Sequence, residues 1–247
     1  MTGKSPTARF PWTTSFVVTA GTTAFILLPA PVWAFDLGSI DSPVINLFII
    51  LSLLTFIPAI LVMFTSFTRI VVVLAFMRQA IGGQQIPPNP VIIGLALFLT
   101  LFVMAPVFDR VQSEAVTPYM QKKITFGEAV KKAEPSFKGF MLKQTREKDL
   151  QLFITISKTE NIKKPEDIPI RIVVPAFAIS ELRTAFEIGF LVYLPFLIID
   201  MVVSSVLLSL GMMMLPPVII SLPFKLLLFV LVDGWNLIIS SLVRSFV

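Results

Sequence analysis

Residues 44–77, 91–108, 172–210 and 218–243 form four apolar runs, and that pattern leaves few folds open. A bilayer-crossing helix needs about 20 apolar residues, and a helix satisfies its own backbone hydrogen bonds where water cannot. Hydrophobic residues make up 55% of the chain and charged ones 14%, against about 25% charged in an average soluble domain. A surface so poor in charge has lipid, or equally apolar protein, as its solvent. The expected fold is an all-α integral membrane protein of Pro-kinked helical hairpins with a short, mostly helical polar insertion.

Neither cysteine nor histidine occurs. Disulfides, Cys or His metal ligands, thiol nucleophiles and imidazole bases are thereby removed together. No metal, cofactor or enzymatic activity is expected. The net charge of +5 does not signal nucleic acid, because thirteen of the twenty Lys and Arg lie in residues 109–171, interleaved with nine acids. Such mixed-sign sequence reads as a solvated face.

Residues 1–34 read as a signal peptide: Lys4 and Arg9 start it, residues 16–28 are apolar, and Val32-x-Ala34 suits cleavage. An uncleaved first membrane helix is the alternative. Residues 35–108 make the first hydrophobic hairpin, with Pro58 expected to kink its first arm and Gly82-Gly83 through Pro87-Pro88 forming the turn. Residues 109–171 are the polar helical insertion. One helix begins at Phe126-Gly127-Glu128, and another carries Phe137, Phe140, Met141 and Gln144 on to Leu152, with Lys143 and Glu147 on one face. Residues 172–247 make the second hairpin, with Pro195 in the first arm, Gly211 as a helix cap and Pro216-Pro217 starting the second arm.

Both hairpins read as a Pro-broken helix, a Gly-bearing turn ending in Pro-Pro, and a straighter helix. That suits a weak internal repeat or simply two unrelated Pro-punctuated hairpins. A cleaved leader and four spans would place the basic insertion outside, against the positive-inside rule. The conflict vanishes if some apolar runs face protein instead of lipid.

Ionisable residues inside apolar runs are expensive unless paired or wetted. Arg69, Glu181, Arg183, Glu187, Asp200, Lys225 and Asp233 are the cases. Asp200 lies eleven residues before Gly211 and Lys225 eight after Pro217, at matching depths of one hairpin. They form either a structural ion pair or part of a proton or ion relay. Met212, Met213 and Met214 are either apolar filler or a deformable seal, since thioethers reshape around irregular surfaces.

Two stretches carry a resemblance. One is Pro175-Ala176-Phe177-Ala178-Ile179-Ser180-Glu181-Leu182-Arg183-Thr184-Ala185-Phe186-Glu187-Ile188-Gly189-Phe190. The other is Pro195-Phe196-Leu197-Ile198-Ile199-Asp200-Met201-Val202, with Gly211-Met212-Met213-Met214 and Pro216-Pro217 beyond it. They resemble the signatures of the FliP family of flagellar biosynthesis proteins and its virulence-secretion counterparts, over roughly residues 56–246. The resemblance implies type III protein export: several copies, a pentamer, assembled with FliQ-like and FliR-like subunits and other export-apparatus membrane subunits, passing unfolded flagellar proteins across the inner membrane. It implies a place in the flagellar basal body, with much of the assembly on the periplasmic side of the lipid. It also implies a pore seal at Met212, Met213 and Met214, and contacts between copies at Glu181, Phe140 and Phe153.

The main rival reading is an ion-coupled secondary transporter of small solutes, using Asp200 or Asp233. An intramembrane carboxylate enzyme lacks its paired-Asp motif, and a structural assembly factor without a pore is a third reading. The leader makes the first testable statement: cleavage after Ala34 gives a mature protein beginning at Phe35, and N-terminal sequencing that starts at Met1 contradicts it.

Overall fold

The computed structural model describes residues 43–83, 85–158, 164–212 and 214–246, and every element among them is helical. The expected signal peptide lies outside the described residues. Two compact units divide the chain, Met1–Leu54 and Thr55–Val247. Helix α1, Pro43–Phe64, begins in the first unit and ends in the second, which holds all later helices.

Pro58 sits inside α1. The sharp turn comes later: residues Pro58–Phe64 meet α2, Phe67–Ile81, at 87°. The cause is a run of hydroxyls. Thr65 Oγ1 donates to the Leu61 carbonyl at 2.5 Å and Thr68 Oγ1 to the Val62 carbonyl at 2.6 Å, taking up acceptors that a helix end leaves orphaned. A proline removes one N–H, whereas these side chains offer the backbone an alternative ending.

Both hairpin turns close in the same way. Gly82, at φ +88°, donates to Gln79 while Gly83 donates to Arg78; Gly211, at φ +71°, donates to Leu208 while Met212 donates to Leu207. This is the paired bond pattern of a Schellman cap, whose left-handed position favours glycine. Helix α3, Asn89–Val111, then starts after Pro87-Pro88. It continues through one π turn, Gln112–Val116, and α4, Thr117–Met120, into a 32-residue rod.

The polar insertion folds back along that rod, with Phe137 meeting Phe108 edge-on at 6.3 Å. Its first helix, α5, Phe126–Gln144, opens on a capping box: the Thr125 N–H donates to Glu128 Oε2 at 2.8 Å, and the Glu128 N–H donates to Thr125 Oγ1 at 3.4 Å. The hydrogen bond from the Thr125 backbone holds the Glu128 carboxyl below its usual range. Its contribution is therefore complete above the ordinary carboxylate pKa and lost as pH falls through the depressed value. Helix α6, Glu147–Ser157, follows extended backbone at Thr145 and Arg146. That break puts Lys143 and Glu147 on different helices, not on one face.

Helix α7, Ile170–Ser209, passes through Pro175 and Pro195 as one 40-residue helix. The second hairpin bends in its other arm instead. Helices α8, Pro217–Leu231, and α9, Gly234–Arg244, meet at 64°. Asp233 turns the chain there at φ +50°, and a Cβ on Gly234 would lie 2.3 Å from the Phe229 ring. The first hairpin is thus broken then straight, the second straight then broken. A repeat preserves element order, so the expected shared plan does not hold.

The core lies where α2 crosses α7. Ile70, Val73, Leu74 and Met77 form a fully buried helical stripe. Ala185 and Gly189, four apart on α7, admit the close approach: a Cβ on Gly189 would lie 2.7 Å from the Phe76 ring. A second cluster, Met141, Ile168, Ile172, Val173 and Phe177, ties the insertion to the start of α7. By length and composition the Asn89–Met120 rod and α7 can each cross a membrane, and counting each bent pair as one span raises the number to four among the described residues.

Candidate gate and buried charge centres

Arg69, near the start of α2, is 2% exposed, and Glu181, in the first third of α7, is 0% exposed. The Arg69 Nε donates to Glu181 Oε2 at 2.9 Å, and one terminal nitrogen donates to the other carboxylate oxygen and to Gln144 Oε1. The second terminal nitrogen donates to the carbonyl and the hydroxyl of Ser245, at 2.9 and 3.0 Å. All five guanidinium N–H groups are thus used. The guanidinium carbon also lies 3.9 Å from the centre of the Phe246 ring, and Gln144 donates to the Phe246 carbonyl. One side chain therefore joins α2, α5, α7 and the chain beyond α9.

The carboxylate of Glu181, a residue expected near a contact between copies, is enclosed in its own chain and taken by Arg69. Phe140 and Phe153, its expected companions, pack on the second core cluster of the same chain, with Phe140 edge-on to Phe177 and stacked with Phe246. Nearby, Ser180 accepts from the Arg146 N–H and donates to Asp149, while Arg146 pairs with Glu187. That hydrogen bond pushes the Arg146 guanidinium further up in pKa.

The structure brings Asp200 and Lys225 together. Lys225 Nζ donates to Asp200 Oδ2 at 2.6 Å, and Ser221 Oγ donates to Oδ1 at 2.5 Å. Lys225 is 2% exposed and Asp200 26%. Asp233 lies exposed at the α8–α9 bend, accepting from Asn236 at 3.1 Å. Asp200 is thus already neutralised and Asp233 is no buried charge, so neither has the form of a coupling site. Among the described residues no group of three or more carboxylates could hold a metal ion.

Met212 is 48% exposed and Met214 98%, at the tip between Gly211 and Pro216-Pro217; Met213 lies outside the described residues. The hairpin leading to this tip is apolar on nearly all sides. Ile198, Met201, Val202, Val206 and Leu208 on α7 and Val218, Ile219, Phe224 and Leu227 on α8 are exposed. A contiguous apolar surface of this extent marks an interaction with lipid or protein.

Removing Arg69 would strand a buried carboxylate, a loss of about 3–5 kcal/mol. Arg69→Met is expected to abolish accumulation of folded protein. Arg69→Met combined with Glu181→Met should recover part of it, measured as the yield of monodisperse protein after detergent extraction. A double variant no better than the single one contradicts the pairing energetics.

Residues 50–242 match the FliP family. The chain is 58% identical over 205 residues to the flagellar biosynthetic protein FliP of Bacillus subtilis, covering 83% of this chain and 93% of that one. It is 55% identical to the protein of the same name from Aquifex aeolicus, covering 82% and 85%. With that of Pectobacterium carotovorum it shares 51% identity over 90% of each chain. The match takes in both hairpins, the insertion between them, Arg69, Glu181, the Asp200–Lys225 pair and the methionine tip: the chain belongs to the FliP family.

Proposed function

We propose that this protein is a pore-forming subunit of the flagellar type III protein export gate, passing unfolded flagellar proteins across the bacterial inner membrane. One observation carries the reading: an apolar hairpin, uncovered on most faces, ends in a tip of exposed methionines pinned between Gly211 and Pro216-Pro217. Several copies arranged about an axis, as a pentamer, bring those tips together, with FliQ-like and FliR-like subunits and other export-apparatus membrane subunits covering further apolar surface. Much of this assembly then stands on the periplasmic side of the lipid, within the basal body. The function calls for no cofactor and no catalytic chemistry.

Met212, Met213 and Met214 form the seal. Thioethers exclude water and ions, since an apolar constriction closes by dewetting, yet they lack a fixed rotamer and yield to a passing chain. Asp200 and Lys225 hold the two arms in register behind the tip. The transporter alternative gains nothing from the geometry, because its two candidate carboxylates are already partnered.

Replacing all three methionines with Ala should leave the complex assembled and raise small-ion conductance across the membrane. An assembled mutant as tight as the original contradicts the seal. Asp200→Lys or Lys225→Asp alone should reduce assembly, less severely than loss of Arg69 because Asp200 keeps contact with solvent, and the double reversal should restore it in part. No rescue in blue-native gels contradicts a role for the pair in assembly.

A further inference from the structure

A cleft of about 480 Å³ opens between α3, α5 and the end of the chain beyond α9. Its walls are apolar at Val103, Pro106 and Phe246, and two cations, Arg110 and Lys143, line it without any acid. Among the described residues neither cation makes a side-chain hydrogen bond or ion pair, so the lining of the cleft carries positive charge alone. We propose that it binds an anionic phospholipid, with the phosphate-bearing headgroup between these cations and an acyl chain on the face of α3 below.

The placement of the cleft favours lipid. Large apolar side chains of α3 are exposed at Val91, Ile93, Phe98, Leu101 and Phe102, and then none is until Val116, in the π turn beyond α3. Large apolar side chains cease to be exposed after Phe102, on the stretch of the rod that α5 runs back along, as the Phe108–Phe137 contact shows. The cleft therefore sits where a membrane-length helix passes from an uncovered apolar face to a polar, protein-covered one. That is the step from hydrocarbon to headgroup. Phe98, Leu101 and Phe102 offer a track for an acyl chain, and Lys143, in the last turn of α5, stands at its upper end. A basic pocket beside a membrane helix is the form of site that selects anionic headgroups. A neighbouring protein segment would need its own acids to neutralise the same two cations, while a phosphodiester supplies the charge together with the chain.

Gly139 faces the cleft, and a Cβ built there meets nothing within 4 Å. Gly139→Leu therefore starts a side chain into the cleft from an unobstructed Cβ and improves the helix propensity of α5, while Arg110→Gln with Lys143→Gln removes the charge. The complex is extracted with its co-purifying subunits, stripped with detergent, exposed to phosphatidylglycerol, phosphatidylethanolamine or inorganic phosphate, and read by native mass spectrometry. The original protein should retain phosphatidylglycerol over phosphatidylethanolamine by roughly tenfold or more, and the double Gln variant should lose that preference. Gly139→Leu should release both lipids while staying assembled. No preference in the original protein overturns the proposal, as does a double variant that keeps it. Inorganic phosphate retained as well as the lipid makes this a free-phosphate site and refutes a lipid one. If Gly139→Leu breaks the assembly instead, the cleft belongs to a neighbouring copy and the lipid reading fails.

Discussion

The ion pair between Arg69 and Glu181 is the constraint on which the rest of the molecule depends. A buried charge pair contributes little net stability unless every remaining donor and acceptor is used, and loses heavily when one is not. Arg69 meets that condition only because four segments arrive together: α2 brings the arginine, α7 the carboxylate, α5 the Gln144 amide, and the chain beyond α9 the Ser245 oxygens. An arrangement that lacks any one of them strands a polar group in an apolar setting. The interaction therefore specifies the packing more than it stabilises it, and it does so where the two apolar clusters meet.

Around that centre the packing is uneven. The first half of α7 buries Ile172, Val173, Ala176, Phe177, Ser180, Glu181 and Ala185, whereas beyond Phe196 it buries Leu207 alone. Helix α8 buries Ser221, Lys225 and Phe229 and leaves its other faces open. The same continuous helix is thus a core element at one end and one arm of an exposed apolar hairpin at the other. A helix apolar all round is stable only when something else covers it, and in the gate proposed above that cover comes from other copies, partner subunits and lipid.

Much of this was legible in the sequence because the signals were local. Gly82-Gly83 and Gly211 marked the turns, Pro216-Pro217 announced a helix start, and Phe126-Gly127-Glu128 opened α5 where the pattern placed it. The Asp200–Lys225 pair was also readable, since a hairpin with a known turn fixes which depths face each other. The bends were not. Proline pointed to Pro58 and Pro195, but the chain turns after Phe64, where the Thr65 and Thr68 hydroxyls take helix carbonyls, and at Asp233-Gly234, where Asp233 adopts a left-handed backbone. The partner of Glu181 was hidden for a different reason: it lies 112 residues away. Arg69 is the only charge in residues 44–77, and such a charge demands a carboxylate. With Asp200 assigned to Lys225, the carboxylates left in apolar runs were few, and elimination would have led to Glu181.

The two buried ion pairs divide the labour of a gate. Arg69 and Glu181 are wholly enclosed and bound from four segments, so that end of α7 moves only if the whole core opens. Asp200 and Lys225 join just two arms, with Ser221 as the added partner and a quarter of Asp200 in contact with solvent. Beyond them the hairpin is held by side-chain contacts between α7 and α8 and by the Gly211 cap. Regions with few buried contacts open at low free energy, while densely packed ones open only near the global limit. The stiffness of the chain therefore falls in steps from the arginine centre, through the lysine pair, to the methionines. The seal proposed for these methionines needs that gradient, because a rigid tip would stay shut to a passing polypeptide and a loose base would not hold the tip in place.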